Sequence, residues 1–376
     1  MSADGTDARQ ITHCAGDCLK PVLLAAEQIA YTMVTRTGNR RRSTVYVCET
    51  DGGGAHPITF GPGNYETETA LRNGRIVLSA AWPLVADGKT AGERTLYTIR
   101  TDGSGLALLR DALGRDENLT NAAELADGTI LFVQSRAAGR SEVAGQLAWL
   151  PPGALHASPV TDLAAVYQSA TELPGDTLLA SRQRATSGGH EFGLYRLTAS
   201  GRGRESLFYS VPGFSIVDPV PLLPHPAPES YWSILHSGIK AGRVICLDAY
   251  LSQDVAGERL ERKIAKVRVL ALDARSGHQF VLGQVPVEAD GSFYAAVPAN
   301  MPIRFELLGL QGEMLRAQQG WVWSRNGEDR GCLGCHESKG LAPANHWPLA
   351  LRRFDTPILL TSPVHSQTVG TSAGNP

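Results

Sequence analysis

The chain has 376 residues and a formal net charge of −2, with 35 basic and 37 acidic side chains mixed along its length. At roughly 150 residues per domain, this length predicts two or three domains. The balanced charge argues against nucleic acid or an anionic membrane surface as the main partner. No stretch reaches the roughly 18 consecutive apolar residues of a membrane-spanning helix. The 40 Gly and 22 Pro residues favour many turns and short strands over helices.

A pattern of paired apolar strands recurs between residues 21 and 225. One aromatic residue marks each copy, at intervals of 51, 52 and 46 residues: Tyr46, Tyr97, Trp149 and Tyr195. A period near 50 residues with paired strands is typical of β-propeller blades. Four copies are legible, and residues 214–223 with the strand near Pro21 would close a fifth. A plain β-sandwich with accidental spacing is the alternative.

The composition changes at the Pro-rich segment 219–228, which is typical of a linker. Beyond it, runs that begin near Tyr231 alternate apolar and polar residues, with a turn at Asp290-Gly291. They predict a small antiparallel β-sandwich. The sequence as a whole therefore predicts an all-β chain, with short helical turns near 118–125 and 347–353. Its predicted parts are an N-terminal extension (1–20), a β-propeller (21–225), a β-sandwich middle domain (226–330) and a C-terminal segment with a tail (331–376).

The chemistry of the C-terminal segment is concentrated in Cys332-Leu333-Gly334-Cys335-His336. This CxxCH pattern is typical of the attachment of a c-type haem. Two thiols three positions apart can each add to one vinyl group of the porphyrin, and the next residue then offers an imidazole to the iron. We therefore expect one covalent haem c, attached through Cys332 and Cys335, with His336 as the proximal iron ligand.

Two other uses of the same residues are possible. A redox disulfide would need a βαβ context that the sequence lacks, and a zinc site would need a second ligand pair nearby. A structural thiol pair is a further alternative. Covalent haem is the interpretation that uses all three residues of the motif.

Aromatic and basic residues upstream of the motif suit a haem pocket. Trp321 and Trp323 are candidates for packing on the macrocycle. Arg325 and Arg330 are candidates for pairing with the haem propionates. Ordinary strand packing and surface charge are the alternatives for these residues.

The sixth iron ligand is left open by the sequence. His346 is the nearest imidazole after the motif and is a candidate distal ligand. His236, His278 or a vacant position are the alternatives. Two histidine ligands would give a lower potential than a His/Met pair.

The remaining cysteines carry weaker signals. His13, Cys14 and Cys18 resemble a metal-binding cluster, but a Cys14–Cys18 disulfide or two unused thiols are favoured over a metal site. Cys48 and Cys246 lie in strand-like runs, so we expect them to be small buried apolar residues.

Residues 242–250, 266–269, 287–302 and 331–337 resemble the hydrazine synthase alpha-subunit-like proteins. That family typically joins a TolB/WD40-like propeller to a β-rich domain and a CxxCH motif, so the resemblance implies the same order here. On the family's pattern, Cys332, Cys335 and His336 correspond to the haem attachment residues and the proximal ligand. This chain has one such motif where the alpha subunit carries two, so the resemblance does not extend to hydrazine synthesis.

Together these features predict a monohaem c-type cytochrome that exchanges electrons with a redox partner protein or within a larger electron-transfer complex. One alternative is a haem enzyme that acts on a small nitrogen or oxygen compound. Another is a subunit of a redox complex like that of the hydrazine synthase alpha subunit. Neither nucleic acid nor a membrane-spanning segment has a place in this prediction.

The compartment gives the first testable prediction. Covalent haem attachment takes place outside the cytoplasm, so we expect a periplasmic or extracellular protein, although no signal peptide is visible in the sequence. We expect the upstream coding sequence to supply a charged region followed by an apolar region of roughly 7–15 residues. Cell fractionation with haem staining checks this, and native haem-free protein in the cytosol would contradict it.

Overall fold

The computed structural model describes residues 6–37, 40–81, 94–110, 117–136, 144–154, 157–161, 165–186, 189–198, 205–224, 226–251, 260, 262–273, 277–318, 320–334, 347–352 and 357–361. Apart from a 3-10 helix at Leu349–Arg352, the regular structure in these residues is β-strand, so the predicted all-β class is confirmed. The chain divides into two compact units, Met1–Ser233 and Ile234–Pro376. Among the described residues, no helix has the length and apolar character needed to cross a membrane.

The first unit contains four consecutive groups of four antiparallel strands, each called a sheet below. One parallel residue pair, Arg94 with Asn118, joins the second and third groups into a continuous eight-stranded sheet. The first sheet contains β1 (Asp17–Leu23), β2 (Gln28–Thr37), β3 (Arg40–Glu49) and β4 (His56–Pro57). The second contains β5 (Asn64–Ala70), β6 (Ile76–Ala81), β7 (Arg94–Ile99) and β8 (Ala107–Arg110). The third contains β9 (Glu117–Glu124), β10 (Ile130–Arg136), β11 (Gln146–Leu150) and β12 (Ser158–Pro159). The fourth contains β13 (Tyr167–Leu173), β14 (Thr177–Thr186), β15 (Gly189–Thr198) and β16 (Ser206–Tyr209).

The four sheets are arranged as propeller blades. The first strand of each sheet contacts the first strand of the next, from β1 to β5, β9 and β13. The fourth strands are short, and β16 is exposed along its whole length. This arrangement has an inner first strand and an outer fourth strand, as in the blades of a propeller.

The four repeat aromatics occupy equivalent positions, as the sequence period predicts. Each lies on the third strand of its sheet and faces a residue of the second strand. The pairs are Tyr46 with Tyr31, Tyr97 with Leu78, Trp149 with Leu131, and Tyr195 with Ala180. The repeat is therefore a structural repeat rather than accidental spacing.

Two local expectations for the first unit, a helical turn at 118–125 and a fifth blade, are wrong. Residues 118–125 were expected to include a helical turn, but they lie in and just after strand β9. Residues 214–223 form no strand and therefore build no fifth sheet; Ile216 N instead donates to Phe192 O at 2.9 Å, beside the fourth sheet. The strand near Pro21 is β1, which begins at Asp17 and belongs to the first sheet.

Apolar side chains fill the spaces between the later sheets. One cluster between the second and third sheets includes Leu96, Leu119 and Phe132. A second cluster between the third and fourth sheets includes Leu147 and Leu178. Since each sheet buries one face against its neighbour, the hydrophobic core of this unit lies in layers between blades.

The contact between the first and second sheets has a polar part. Thr32 and Thr67 share a buried hydrogen bond between their hydroxyl oxygens at 2.9 Å. The Glu66 carboxylate forms ion pairs with Lys20, Arg41 and Arg94, with N–O distances of 3.2, 3.3 and 3.1 Å. The three cations come from β1, β3 and β7, so one carboxylate of β5 joins strands of both sheets.

The second unit contains two four-stranded sheets, as expected for a small β-sandwich. One sheet has the order β23–β17–β20–β24, and the other has the order β19–β18–β21–β22. The first is formed by β17 (Ala241–Cys246), β20 (Phe293–Pro298), β23 (Asp329–Cys332) and β24 (Ile358–Leu359). The second is formed by β18 (Lys266–Leu272), β19 (Gln279–Pro286), β21 (Ile303–Leu308) and β22 (Met314–Ala317). Phe293 and Phe305 pack across the two sheets with ring centroids 5.8 Å apart.

Two features of this sandwich differ from the expectation. The run that begins at Tyr231 forms no strand through residue 238, and the side chain of Trp232 is 96% exposed, so apolar composition did not lead to burial there. The first sheet is mixed rather than antiparallel, because β23 is parallel to β17 and β24 is parallel to β20. The two parallel strands, β23 and β24, are the last two strands of the described chain.

The ion cluster around Glu66 gives a prediction about acid stability. Burial alone would raise the pKa of Glu66, but Arg94, Lys20 and Arg41 together hold this pKa below its usual value. A lowered folded-state pKa means that the stabilisation is present above the unfolded-state pKa and is lost as the pH falls through the folded-state pKa. We expect Glu66→Gln to lower the free energy of unfolding at pH 7 by about 2 kcal/mol, between the values typical of exposed and buried ion pairs.

Urea denaturation at pH 7 and pH 3 measures this effect, and the difference from the unsubstituted chain should shrink at the lower pH. The matched control is Glu49→Gln, because Glu49 is exposed and its carboxylate accepts a hydrogen bond from the uncharged Gln28 amide at 3.2 Å. The control should change the free energy of unfolding by less than about 0.5 kcal/mol. Equal effects of the two substitutions would show that the cluster is not stabilising.

Candidate functional site

The candidate site begins at the edge of the first sheet of the sandwich, where β23 pairs with β17. The register places Arg243 opposite Asp329 and Cys246 opposite Cys332. The side chains of Arg243 and Asp329 form an ion pair at 2.5 Å on the exposed face. Because side chains alternate along a strand, Cys246 and Cys332 project from the opposite face.

The start of the CxxCH motif is fixed by its backbone. Leu247 N donates to Cys332 O at 2.9 Å, and Asp248 N donates to Leu333 O at 3.2 Å. Gly334 is buried against the turn that follows β17, where an added Cβ would lie 2.7 Å from Leu251 O. Only glycine therefore fits at this position without a shift of the backbone, because there is no space for a Cβ atom. The Cys332 side chain is partly exposed.

A second turn, Asp290-Gly291-Ser292, lies against the first. Ala249 N donates to Gly291 O at 2.8 Å. Gly291 has a φ of +85°, as the Asp-Gly turn in the sequence predicts. We call residues 247–251 and 290–292 together the corner of the second unit.

The chain returns to the same corner after the motif. Leu349 N donates to Asp290 Oδ2 at 2.8 Å, and Ala350 N donates to Ser292 Oγ at 3.0 Å. These bonds begin the 3-10 helix at 349–352, where a helical turn is predicted. Gly334 and Leu349, which precede and follow segment 335–346, are thus both anchored at the corner. Cys335, His336 and His346 lie outside the described residues.

The two tryptophans are core residues of the second unit. Trp321 and Trp323 are each 1% exposed. The Arg304 guanidinium lies 5.7 Å from the centre of the Trp321 ring. This burial favours the strand-packing alternative for both residues, since neither indole offers an exposed face to a planar ligand.

The two arginines near the motif have different surroundings. Arg330 lies on β23 two residues before Cys332 and projects from the same face. Arg325 donates from Nη1 to Asn300 Oδ1 at 2.7 Å. With Lys240, Arg325 borders an open depression of about 590 Å³ in the second unit. Position therefore favours Arg330 as the cation nearer to Cys332.

The other described cysteines are a disulfide pair and two buried thiols. Cys14 and Cys18 form a disulfide, which is one of the two alternatives favoured over a metal site. Cys48 and Cys246 are each 2% exposed, so both are buried as expected. Burial also raises the pKa of the Cys48 thiol. Within the described ranges, no group of three or more His, Cys, Asp or Glu residues could hold a metal ion.

Comparison with known proteins confirms the resemblance in the region that carries it. Residues 238–337 match the family model of the hydrazine synthase alpha subunit middle domain. This region includes the β17–β23 pair and the whole CxxCH motif. No curated protein sequence matches the chain.

The fold of the chain is also similar to solved structures. Hydrazine synthase from Kuenenia stuttgartiensis matches with a TM-score of 0.78 and 18% identity over 94% of this chain and 61% of that chain. The chain therefore spans about three fifths of the length of that protein. A putative TolB from Agrobacterium tumefaciens matches with a TM-score of 0.39 and 16% identity, over 50% of this chain and 64% of that chain.

The packing of Gly334 gives a prediction with a matched control. Gly334→Ala forces the motif away from Leu251, so the hydrogen bonds from Leu247 and Asp248 to the motif should weaken. We expect faster hydrogen exchange of these two amides and a loss of stability of roughly 1–3 kcal/mol, as for overpacking elsewhere. Gly331→Ala is the control, since an added Cβ there meets no atom within 4 Å. Unchanged exchange in Gly334→Ala would contradict the anchoring of the motif.

Proposed function

We propose that this protein is a monohaem c-type cytochrome that holds one covalent haem c in its second unit. Cys332 and Cys335 would form the thioether bonds, and His336 would be the proximal ligand of the iron. The observation that supports this most is the place of the motif. The CxxCH sequence lies inside the region that matches the hydrazine synthase alpha subunit middle domain, and it starts at an anchored strand end.

The described residues suit this group. Cys332 is partly exposed, which suits access of a vinyl group, while the backbone of Cys332 and Leu333 is held by two hydrogen bonds. Arg330 projects from the same face of β23 and would pair with a propionate. A bound haem c supplies one-electron transfer at its iron.

The task of the protein is to fix this group at a defined place. Gly334 brings the backbone onto Leu251, so Cys332 cannot move without disturbing the corner. Attachment of the first thioether at a rigid strand end limits where the second thiol and the imidazole can lie. The fixed geometry limits reorganisation when the charge of the site changes.

His346 is the proposed distal ligand. It lies three residues before Leu349, which is anchored at the corner that also holds Gly334. The described residues on either side of the segment that carries both histidines therefore lie at one corner. This makes a return of His346 to the haem geometrically reasonable.

The partner of such a cytochrome would be a redox protein or the other subunits of an electron-transfer complex. We also propose a periplasmic or extracellular location, where c-type haem is attached. The Cys14–Cys18 disulfide supports this, since disulfides persist in oxidising compartments.

A second candidate function is a haem enzyme or a redox-complex subunit resembling the hydrazine synthase alpha subunit. Its support is the fold similarity to hydrazine synthase over 94% of this chain. Optical and EPR spectra of the native protein separate the two functions. Low-spin six-coordinate iron indicates electron transfer, whereas high-spin iron that binds CO or NO readily indicates catalysis.

The covalent haem is tested directly on the native protein. The denatured chain should keep its haem stain and exceed the mass of its polypeptide by one haem. Replacing both Cys332 and Cys335 with Ala should abolish both signals, because no thioether bond can form. Cys48→Ala is the matched control, since Cys48 is a buried cysteine of the first unit, and it should keep both signals. A native chain with the unmodified polypeptide mass would refute the proposal.

A further inference from the structure

Cys246 and Cys332 are opposite each other in the parallel β17–β23 pair, and both project from the same face. Neighbouring strands lie about 4.8 Å apart. The Cα atoms of disulfides are usually about 4.4–6.8 Å apart. Adjacent strand positions with side chains on one face therefore meet the distance requirement for a disulfide.

We propose that Cys246 and Cys332 form a reversible disulfide in the haem-free chain, so that Cys332 is a redox-controlled thiol. The consequence for haem rests on the proposed function: a sulfur in this disulfide cannot form a thioether bond with a vinyl group. Reduction of the Cys246–Cys332 bond would then have to precede haem attachment. The disulfide itself requires only the two thiols.

The difference in burial sets the order of the chemistry. Cys332 is partly exposed, whereas Cys246 is 2% exposed, so an oxidant in solution meets Cys332 first. With a disulfide oxidant such as oxidised glutathione, the Cys332 thiolate attacks one sulfur and releases one glutathione thiolate. The Cys246 thiolate then attacks Sγ of Cys332 and releases the second glutathione. The two protein thiols lose two electrons and two protons, and oxidised glutathione gains them as two reduced molecules.

The experiment uses the full-length chain prepared without haem and incubated with oxidised glutathione. The background is Cys335→Ser, which removes the competing thiol of the motif. Tryptic digestion without reduction should yield a disulfide-linked pair of peptides, 244–259 and 331–339, identified by mass spectrometry. The chain without substitution should give the same linked pair, which shows that the bond does not depend on the variant.

Single substitutions in this background assign the roles of the two thiols. Cys246→Ser should abolish the linked pair and leave one glutathione on Cys332, because the resolving thiol is gone. Cys332→Ser should abolish both products, since buried Cys246 does not meet the oxidant. Cys48→Ser is the matched control and should leave the linked pair unchanged.

The inference is overturned if glutathione stays on Cys332 while Cys246 is present, or if Cys332 does not react. Its failure is distinguishable from failure of the proposed function. A native chain that carries haem but gives no linked pair in its haem-free form overturns the disulfide alone. A linked pair in a chain whose native form carries no haem overturns the haem proposal alone.

Discussion

The parallel pairing of β17 with β23 is the constraint on which the candidate site depends. β17 is a central strand of its sheet, and its parallel partner β23 follows it in the chain only after β18 to β22. Gly242 makes this possible, because a side chain there would collide with Ser324 on the segment that leads to β23. The register then places Asp329 opposite Arg243 and Cys332 opposite Cys246. A shift of one residue would turn Cys332 to the exposed face.

Contacts at the corner hold the chain at two further points. Turn 247–251 receives Gly334, and turn 290–292 receives the amides of Leu349 and Ala350. Because Ala249 N also bonds to Gly291 O, the two turns support each other. Gly334 and Leu349, which lie on either side of segment 335–346, are therefore held at the same corner.

The sequence was informative where apolar periodicity and turn chemistry agree. The second and third strands of each blade, the repeat aromatics and the Asp290-Gly291 turn follow from pattern alone. Strands β5 and β9 were missed because they are rich in Thr, Glu and Asn, whose burial depends on partners such as Lys20 and Arg94 in distant segments. β23 and β24 are too short for a period to be read, and their pairing is long-range. The motif residues were identifiable from spacing, but the partner of Cys332 was not, since register is invisible in sequence.

Burial distinguishes the described thiols of this chain. Cys48 and Cys246 are each 2% exposed, and Cys14 is joined to Cys18, so Cys332 is the described cysteine outside that disulfide whose side chain solvent reaches in part. Both vinyl addition and disulfide exchange start from an accessible thiolate. The same partial exposure therefore suits Cys332 to the proposed haem attachment and to the proposed disulfide. Cys246 is the buried thiol opposite Cys332 in the strand pair. A disulfide between them is a reversible product, and it protects the Cys332 sulfur from the further, irreversible steps of oxidation.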